Sequence, residues 1–168
     1  MKTTLLIASF LCLFVGVQAQ NDPLYLGYLR ANTTLLKSAV ADLEKEGNND
    51  VKLLEGYYLL LNNTMRDKDE DTFDEYVDKA VDTAERILKK DKKHVKANAM
   101  LGAIYGLKIA YSPMKGMFLG GKSSSLSAAG ISNAPDNPVG HFFFALNKYN
   151  TPETWGGDKA LARKHFQK

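Results

Sequence analysis

Cysteine is almost absent from this 168-residue chain, with Cys12 the sole example. No internal disulfide can form, and no pair of thiols is available to hold a metal. Trp155 is the only tryptophan and there are only five prolines. After Val17 no apolar run approaches the roughly 20 residues of a membrane-spanning helix, so membrane insertion is not expected. Alternating β-branched stretches of strand length are missing too, which argues against a sheet. Charge of one sign is not in excess either: 22 Lys and Arg face 19 Asp and Glu, a formal charge of +3. Neither nucleic-acid binding nor steering to a membrane is expected from that balance, because both need a clustered basic surface. Lys89, Lys90, Lys92 and Lys93 do cluster. They fall at the end of an expected helix, where cations complement the macrodipole.

The signatures of catalysis are equally sparse. His94, His141 and His165 stand apart, without H-E-x-x-H or Cys/His spacing, and read as surface or partly packed imidazoles. The acidic stretch Asp69 to Glu75 lacks the glycine-centred pattern of a calcium loop. Ser123, Ser124, Ser125 and Ser127 are not set in a G-x-S-x-G elbow. No catalytic residue, cofactor or metal ligand is assigned, and the expectation is a protein that is not an enzyme.

What is present begins with Lys2, the apolar run Leu5 to Val17 and the small-residue pattern Val17-Gln18-Ala19. Together they read as a secretory signal peptide spanning residues 1–19, cleaved after Ala19. Leu11 stands where lipoprotein processing needs a small residue, which argues against a lipid anchor on Cys12. Residues 20–168 then form a single domain, exported to the periplasm or beyond.

Helical periodicity fills that domain. Apolar residues recur at steps of three and four from Tyr25 to Leu43, interrupted by Asn32, and read as one amphipathic helix with a stop near Gly47. Asn49 or Asp50 opens a second helix to about Asn62, and Thr72 with Glu75 forms a capping box for a third. A fourth runs from about His94 to before Pro113, since a proline disfavours helix in the residue preceding it. Residues 114–138 are rich in Gly, Ser and Pro and hold at most a short helix, Ser124 to Ala129. Pro138 and Asp158 open the last two helices. The fold class is all-α.

The paired helices carry a resemblance. Ala80, Ala84 and Ile87 on one helix, with Leu101, Gly102 and Tyr105 on the next, resemble the junction between two tetratricopeptide repeats. "DNPVGHFFFALNKYNTP" looks like a second junction, Tyr149 matching Tyr105. The order "YSPMKGMFLGGKSS", "APDNP", "YNTPETWGGDKALA" is similar to a group of uncharacterised exported bacterial proteins of that family. The resemblance implies helix-turn-helix repeats stacked as a short TPR-like α-solenoid, and it brings no known activity.

Gly56 to Gly102 spans 46 residues and Tyr105 to Tyr149 spans 44, against a repeat of about 34. The surplus is expected as loops at Asn62 to Asp71, Met114 to Lys122 and Thr151 to Gly157, projecting from one edge as a rim. In the last of these, Gly156-Gly157 is expected to reverse the chain before the Asp158 cap. A phosphate cradle is not expected there, because a helix rather than a strand precedes it. Trp155 is expected to wedge between helices.

The functional expectation is a non-enzymatic scaffold that binds a polypeptide partner in the cell envelope. Met114, Lys115, Met117, Phe118, Glu153 and Trp155 are the rim candidates, and Lys96, Phe143 and Asn147 the candidates on the concave helix face. The alternative is a small-molecule or envelope-polymer binder with an aromatic pocket under residues 114–122. Barely three turns follow Asp158, with no polar capping helix after them, so self-association over the last helix is expected too.

Overall fold

Short polar side chains set the helix starts in the computed structural model, which describes residues 22–168. The signal-peptide reading, the Ala19 cleavage and Cys12 lie outside the described residues. Eight α-helices follow: α1 (Pro23–Leu29), α2 (Thr33–Glu46), α3 (Asp50–Asp67), α4 (Glu70–Lys90), α5 (Val95–Tyr111), α6 (Gly116–Asn133), α7 (Pro138–Asn150) and α8 (Lys159–Phe166). One-turn 3-10 helices, Pro113–Lys115 and Glu153–Trp155, precede α6 and α8. No strand occurs among the described residues, so the protein is all-α.

Each helix packs on its neighbours in sequence. In addition the backbones of α1 and α3, α3 and α5, and α5 and α7 approach closely, whereas those of α2, α4, α6 and α8 do not approach one another among the described residues. The odd-numbered helices therefore form one continuous row and the even-numbered helices stand farther apart against it, α2 and α4 being joined by side chains, Lys37 to Glu75 at 3.4 Å and Lys79 to Glu44 at 3.3 Å. The core runs along this contact, through Leu36, Leu54, Leu60, Leu61, Ala80 and Ile104, all fully buried. Phe73 of α4 stacks on Tyr111 of α5 with ring centroids 4.1 Å apart.

Local signals act where expected at several ends. Gly47 closes α2 in the left-handed region, φ 63°. The side chains of Asn49, His94, Asn137 and Asp158 accept hydrogen bonds from the first turns of α3, α5, α7 and α8. Asp50 is held by Arg86 and Lys90 from α4 at 2.8 and 3.2 Å. The Arg86 hydrogen bond, followed by that of Lys90, holds its carboxyl below the usual range. Lys89 and Lys90 occupy the last turn of α4 as the macrodipole favours.

Three expectations are corrected. The helix expected over Tyr25 to Leu43 is broken: Ala31 has φ 55°, and Asn32 caps α2 by accepting from Leu35 N at 2.9 Å. The loop expected at Asn62 to Asp71 is almost entirely helical. α3 continues to Asp67 because Asn63 and Thr64, polar as they are, face the core at 1% and 0% exposure. Thr64 Oγ1 donates to Leu61 O, and Thr64 O accepts from the Tyr111 hydroxyl at 3.0 Å. Lys68 then enters the left-handed region and Asp69, not Thr72, caps α4.

The third correction is the largest, because residues 114–122 are not a loop. They contain the 3-10 turn and the first two turns of α6, an 18-residue helix. Serine and glycine are poor helix formers, and tertiary packing compensates. Ser123 Oγ donates to Gly102 O at 2.7 Å. A Cβ on Gly102 would lie 2.8 Å from Ser127 Oγ, and one on Gly140 would lie 2.8 Å from Gly130 O. Small residues let α5, α6 and α7 approach to near backbone contact, and α6 is helical because its neighbours hold it. The surplus residues thus lengthen helices, and only 151–157 remains a turn of the expected kind.

Candidate functional site

α5, α6 and α7 pack against one another and border a hollow of about 880 Å³. Its floor is α5, with Gly102, Ala103, Gly106, Leu107 and Ala110. Gly116, Met117, Gly120 and Ser124 of α6 form one wall, and Phe143, Asn147 and Asn150 of α7 form the other. Tyr58 and Asn62 of α3 and the 151–155 turn complete it. About one residue in four of the chain is charged, yet no Asp, Glu, Lys, Arg or His lines this hollow.

Hydrogen bonds cross the hollow at its inner end. Asn147 Nδ2 donates to Ser123 Oγ at 3.1 Å, and Ser124 Oγ donates to Asn147 Oδ1 at 3.3 Å. At the outer end the indole of Trp155 lies against Gly116: a Cβ there would be 3.3 Å from Trp155 Cζ3. Gly116 to Ser123 is seven residues of helix, or about 10 Å. Trp155 therefore does not wedge between helices; it covers one end of the hollow and is 58% exposed. Its position follows from the turn: Gly156 adopts φ 88°, Gly157 N donates to Pro152 O, and Asp158 N donates to Lys148 O, both at 3.0 Å.

The polar groups in between are partly committed. Asn62 Nδ2 donates to Tyr58 O at 2.7 Å and Asn150 Nδ2 to Leu146 O at 2.9 Å. The Asn62 side chain also lies within hydrogen-bonding reach of the Tyr58 hydroxyl, while Asn150 and Trp155 are exposed, so that water reaches the Asn150 Oδ1 and the indole N–H. Tyr58 meets Phe143 edge-on at 5.1 Å, and burial pushes its hydroxyl pKa up to about 12. The phenol therefore stays neutral throughout the physiological range, and the hollow can offer dipoles and ring faces without charge.

Of the nine candidate residues, Met117, Trp155, Phe143 and Asn147 come together here. Phe143 is 4% exposed and serves as wall and core rather than as an open contact surface. Lys96 is paired with Glu55 at 2.9 Å and lies outside the hollow, as do Met114, Lys115, Phe118 and Glu153. Met114 and Phe118 are 79% and 75% exposed, beside Met117 at 71%. Tyr58 lines the hollow, one of four tyrosines that by type could line a groove, whereas Asn62, Gly106 and Gly120 were not expected as site residues. A glycine inside a helical pattern is a local cost that invites a reason, and that was the available signal for the last two.

A second hollow of about 530 Å³ lies on the other flank of α6, where Glu85 and Lys122 contribute charge. Among the described residues no three His, Cys, Asp or Glu side chains converge as a metal site, and no helix is long and apolar enough to cross a membrane.

His141 corrects another expectation, being 4% exposed. Its Nε2 is 2.6 Å from Pro135 O and its Nδ1 is 2.8 Å from Nδ1 of His165 on α8. A carbonyl only accepts, so neutral His141 carries its proton on Nε2 and accepts at Nδ1, and His165 must donate from Nδ1. Burial, then the neighbouring His141, then Lys168 lower the pKa of His165. The folded state thus binds this proton less readily than the unfolded chain, whose histidines titrate near about 6.5. Stability should be full above that value and fall as the pH drops through the depressed folded value. Thermal melting between pH 8 and 5 checks this, with His165→Gln expected to flatten the acid limb because an amide donates without titrating. An equally steep limb in that variant would move the effect elsewhere. Comparison with protein-family models, curated proteins and solved structures finds no match to this chain.

Proposed function

We propose that this chain is a non-enzymatic binding module, a TPR-like α-solenoid acting after export, which holds a compact, uncharged ligand in the hollow between α5, α6 and α7. The observation that carries this reading is the hollow itself. Its size falls within the roughly 300–1,000 Å³ of small-ligand sites, and its lining joins apolar walls to a few amides and hydroxyls with no charge. The continuous odd-numbered row supports the solenoid reading, because such arrays present concave surfaces along one row. Residues 1–19 read as a signal peptide support export.

The test is a thermal-shift screen of neutral and charged small molecules on residues 20–168. A ligand at a hundredfold over its Kd adds about 2.7 kcal/mol to stability. That is a rise of several degrees for a domain of this size, at roughly 2–4 °C per kcal/mol. Stabilisation by anionic or cationic compounds alone would contradict the reading.

A second reading is the polypeptide scaffold, favoured by Met114, Met117 and Phe118. Three large apolar side chains so exposed on one helix entrance are an unusual surface. It predicts capture of an envelope polypeptide that is lost on replacing Met117 and Phe118 by alanine.

A further inference from the structure

We propose that the ligand of the α5–α6–α7 hollow is a neutral sugar of one or two rings, seated on Gly106 and Gly120 between the Ser123–Asn147 bridge and Trp155. This rests on the binding-module reading above and names its ligand class. Charge is the first discriminator. A buried anionic or cationic ligand needs an opposite charge or it pays a large desolvation cost, and this lining supplies none. A neutral occupant is matched to it.

Length is the second. The hollow is crossed by the Ser123 and Ser124 bonds to Asn147 and covered by Trp155 on Gly116, about 10 Å apart along α6. An extended polypeptide gains roughly 3.3 Å per residue, so only about three residues fit between the two features along α6. A molecule that ends within that length is favoured.

Hydrogen-bonding character is the third. The Oδ1 atoms of Asn62 and Asn150 can accept, since each amide nitrogen bonds within its own helix, and the indole N–H of Trp155 can donate. Hydroxyl groups serve as both. A pyranose ring also has a face of C–H bonds that lies on an aromatic or backbone surface, which the ring of Trp155 and the bare backbone at Gly106 and Gly120 provide. An acyl chain would leave the amides unused.

The glycines add an independent support. Gly102 and Gly140 are demanded by close helix contacts, but Gly106 and Gly120 are not. A Cβ on Gly106 would sit 3.9 Å from Ser123 Oγ and one on Gly120 3.9 Å from Trp155 Cε3, both ordinary contacts. Glycine inside a helix costs about 0.5–1 kcal/mol relative to alanine. Both positions carry that cost, and both face the hollow, where alanine would take up the ligand's space.

The test is calorimetric titration of residues 20–168 with neutral mono- and disaccharides of glucose, galactose and N-acetylglucosamine, with glucuronate and glucosamine as charged counterparts. The doubly substituted Gly106→Ala, Gly120→Ala protein is the partner sample. A neutral sugar should bind, its charged counterpart at least about tenfold more weakly. The doubly substituted protein should melt higher than the parent yet lose about tenfold or more in affinity. Equal affinity in the two proteins, or charged sugars bound as tightly as neutral ones, would overturn the proposal. If no neutral sugar binds while another uncharged compound does, with sensitivity to the two alanines, the sugar is wrong and the hollow stands. If nothing that binds responds to them, both readings fall.

Discussion

Gly157→Ala is expected to release α8 from the rest of the protein. A Cβ at this position would overlap the carbonyl oxygen of Thr151 and press on the carbonyl carbon of Pro152. These are backbone atoms, so no rotamer change relieves the overlap and the turn must open. Overpacking costs about 1–3 kcal/mol and occasionally more, and a backbone obstacle belongs at the upper end. What is lost is specific: the Asp158 N to Lys148 O bond, the His141–His165 contact, and Phe166 on Phe142 at 6.0 Å. Gly156→Ala is the control. Its left-handed backbone costs about 1–2 kcal/mol for a residue with a Cβ, but nothing lies within 4 Å of the added atom. Hydrogen exchange should show α8 unprotected in the Gly157 variant and still protected in the Gly156 variant. The reverse order would mean that the 151–157 turn is held by something other than this close approach.

Phe73→Ala should be the most damaging of the simple truncations. Phe73 is 2% exposed and fully enclosed where α4 meets α5, and Tyr111, its stacking partner, anchors the end of α3 through Thr64 O. Removing the ring leaves a cavity among three helices, for which a loss of about 3–5 kcal/mol is typical. The melting temperature should fall by roughly 10 °C or more. Urea titration gives the same quantity at room temperature. A loss below about 1 kcal/mol, the level of an exposed substitution, would show that the ring is not enclosed in solution. Phe142, 47% exposed on α7, gives the comparison for an aromatic that is only half covered.

The parts of the fold legible in the sequence are those governed by short-range chemistry. Gly47, Asn49, His94, Pro138 and Asp158 mark helix ends through atoms within four residues of themselves, so their reading needed no partner. The ends that escaped depend on distant ones. Asn63 and Thr64 looked solvated because they are polar, yet their neighbours across the core bury them. Residues 116–133 looked irregular because glycine and serine are weak helix formers. Only the approach of Gly102 to Ser123 and Ser127 shows why small residues were needed there. Asp69 and Thr72 are both acceptable caps, and the left-handed Lys68 decides between them.

The candidate site divides along the same line. Trp155 and Met117 stood out by type, and Asn147 by its place on a helix face. Gly106 and Gly120 could be seen only as weaknesses in a helix, without the cavity that makes sense of them. His141 read as an isolated imidazole because its partner is 24 residues away.

The helices of the array are joined by two kinds of bond. α2 and α4 meet through exposed ion pairs, Lys37 to Glu75 at 3.4 Å and Lys79 to Glu44 at 3.3 Å, which dissolved salt screens. α6 is held by neutral hydrogen bonds to α5 and α7 and by near backbone contact with both, which salt does not screen. Ionic strength should therefore loosen the first half of the array and leave the wall of the hollow where it is.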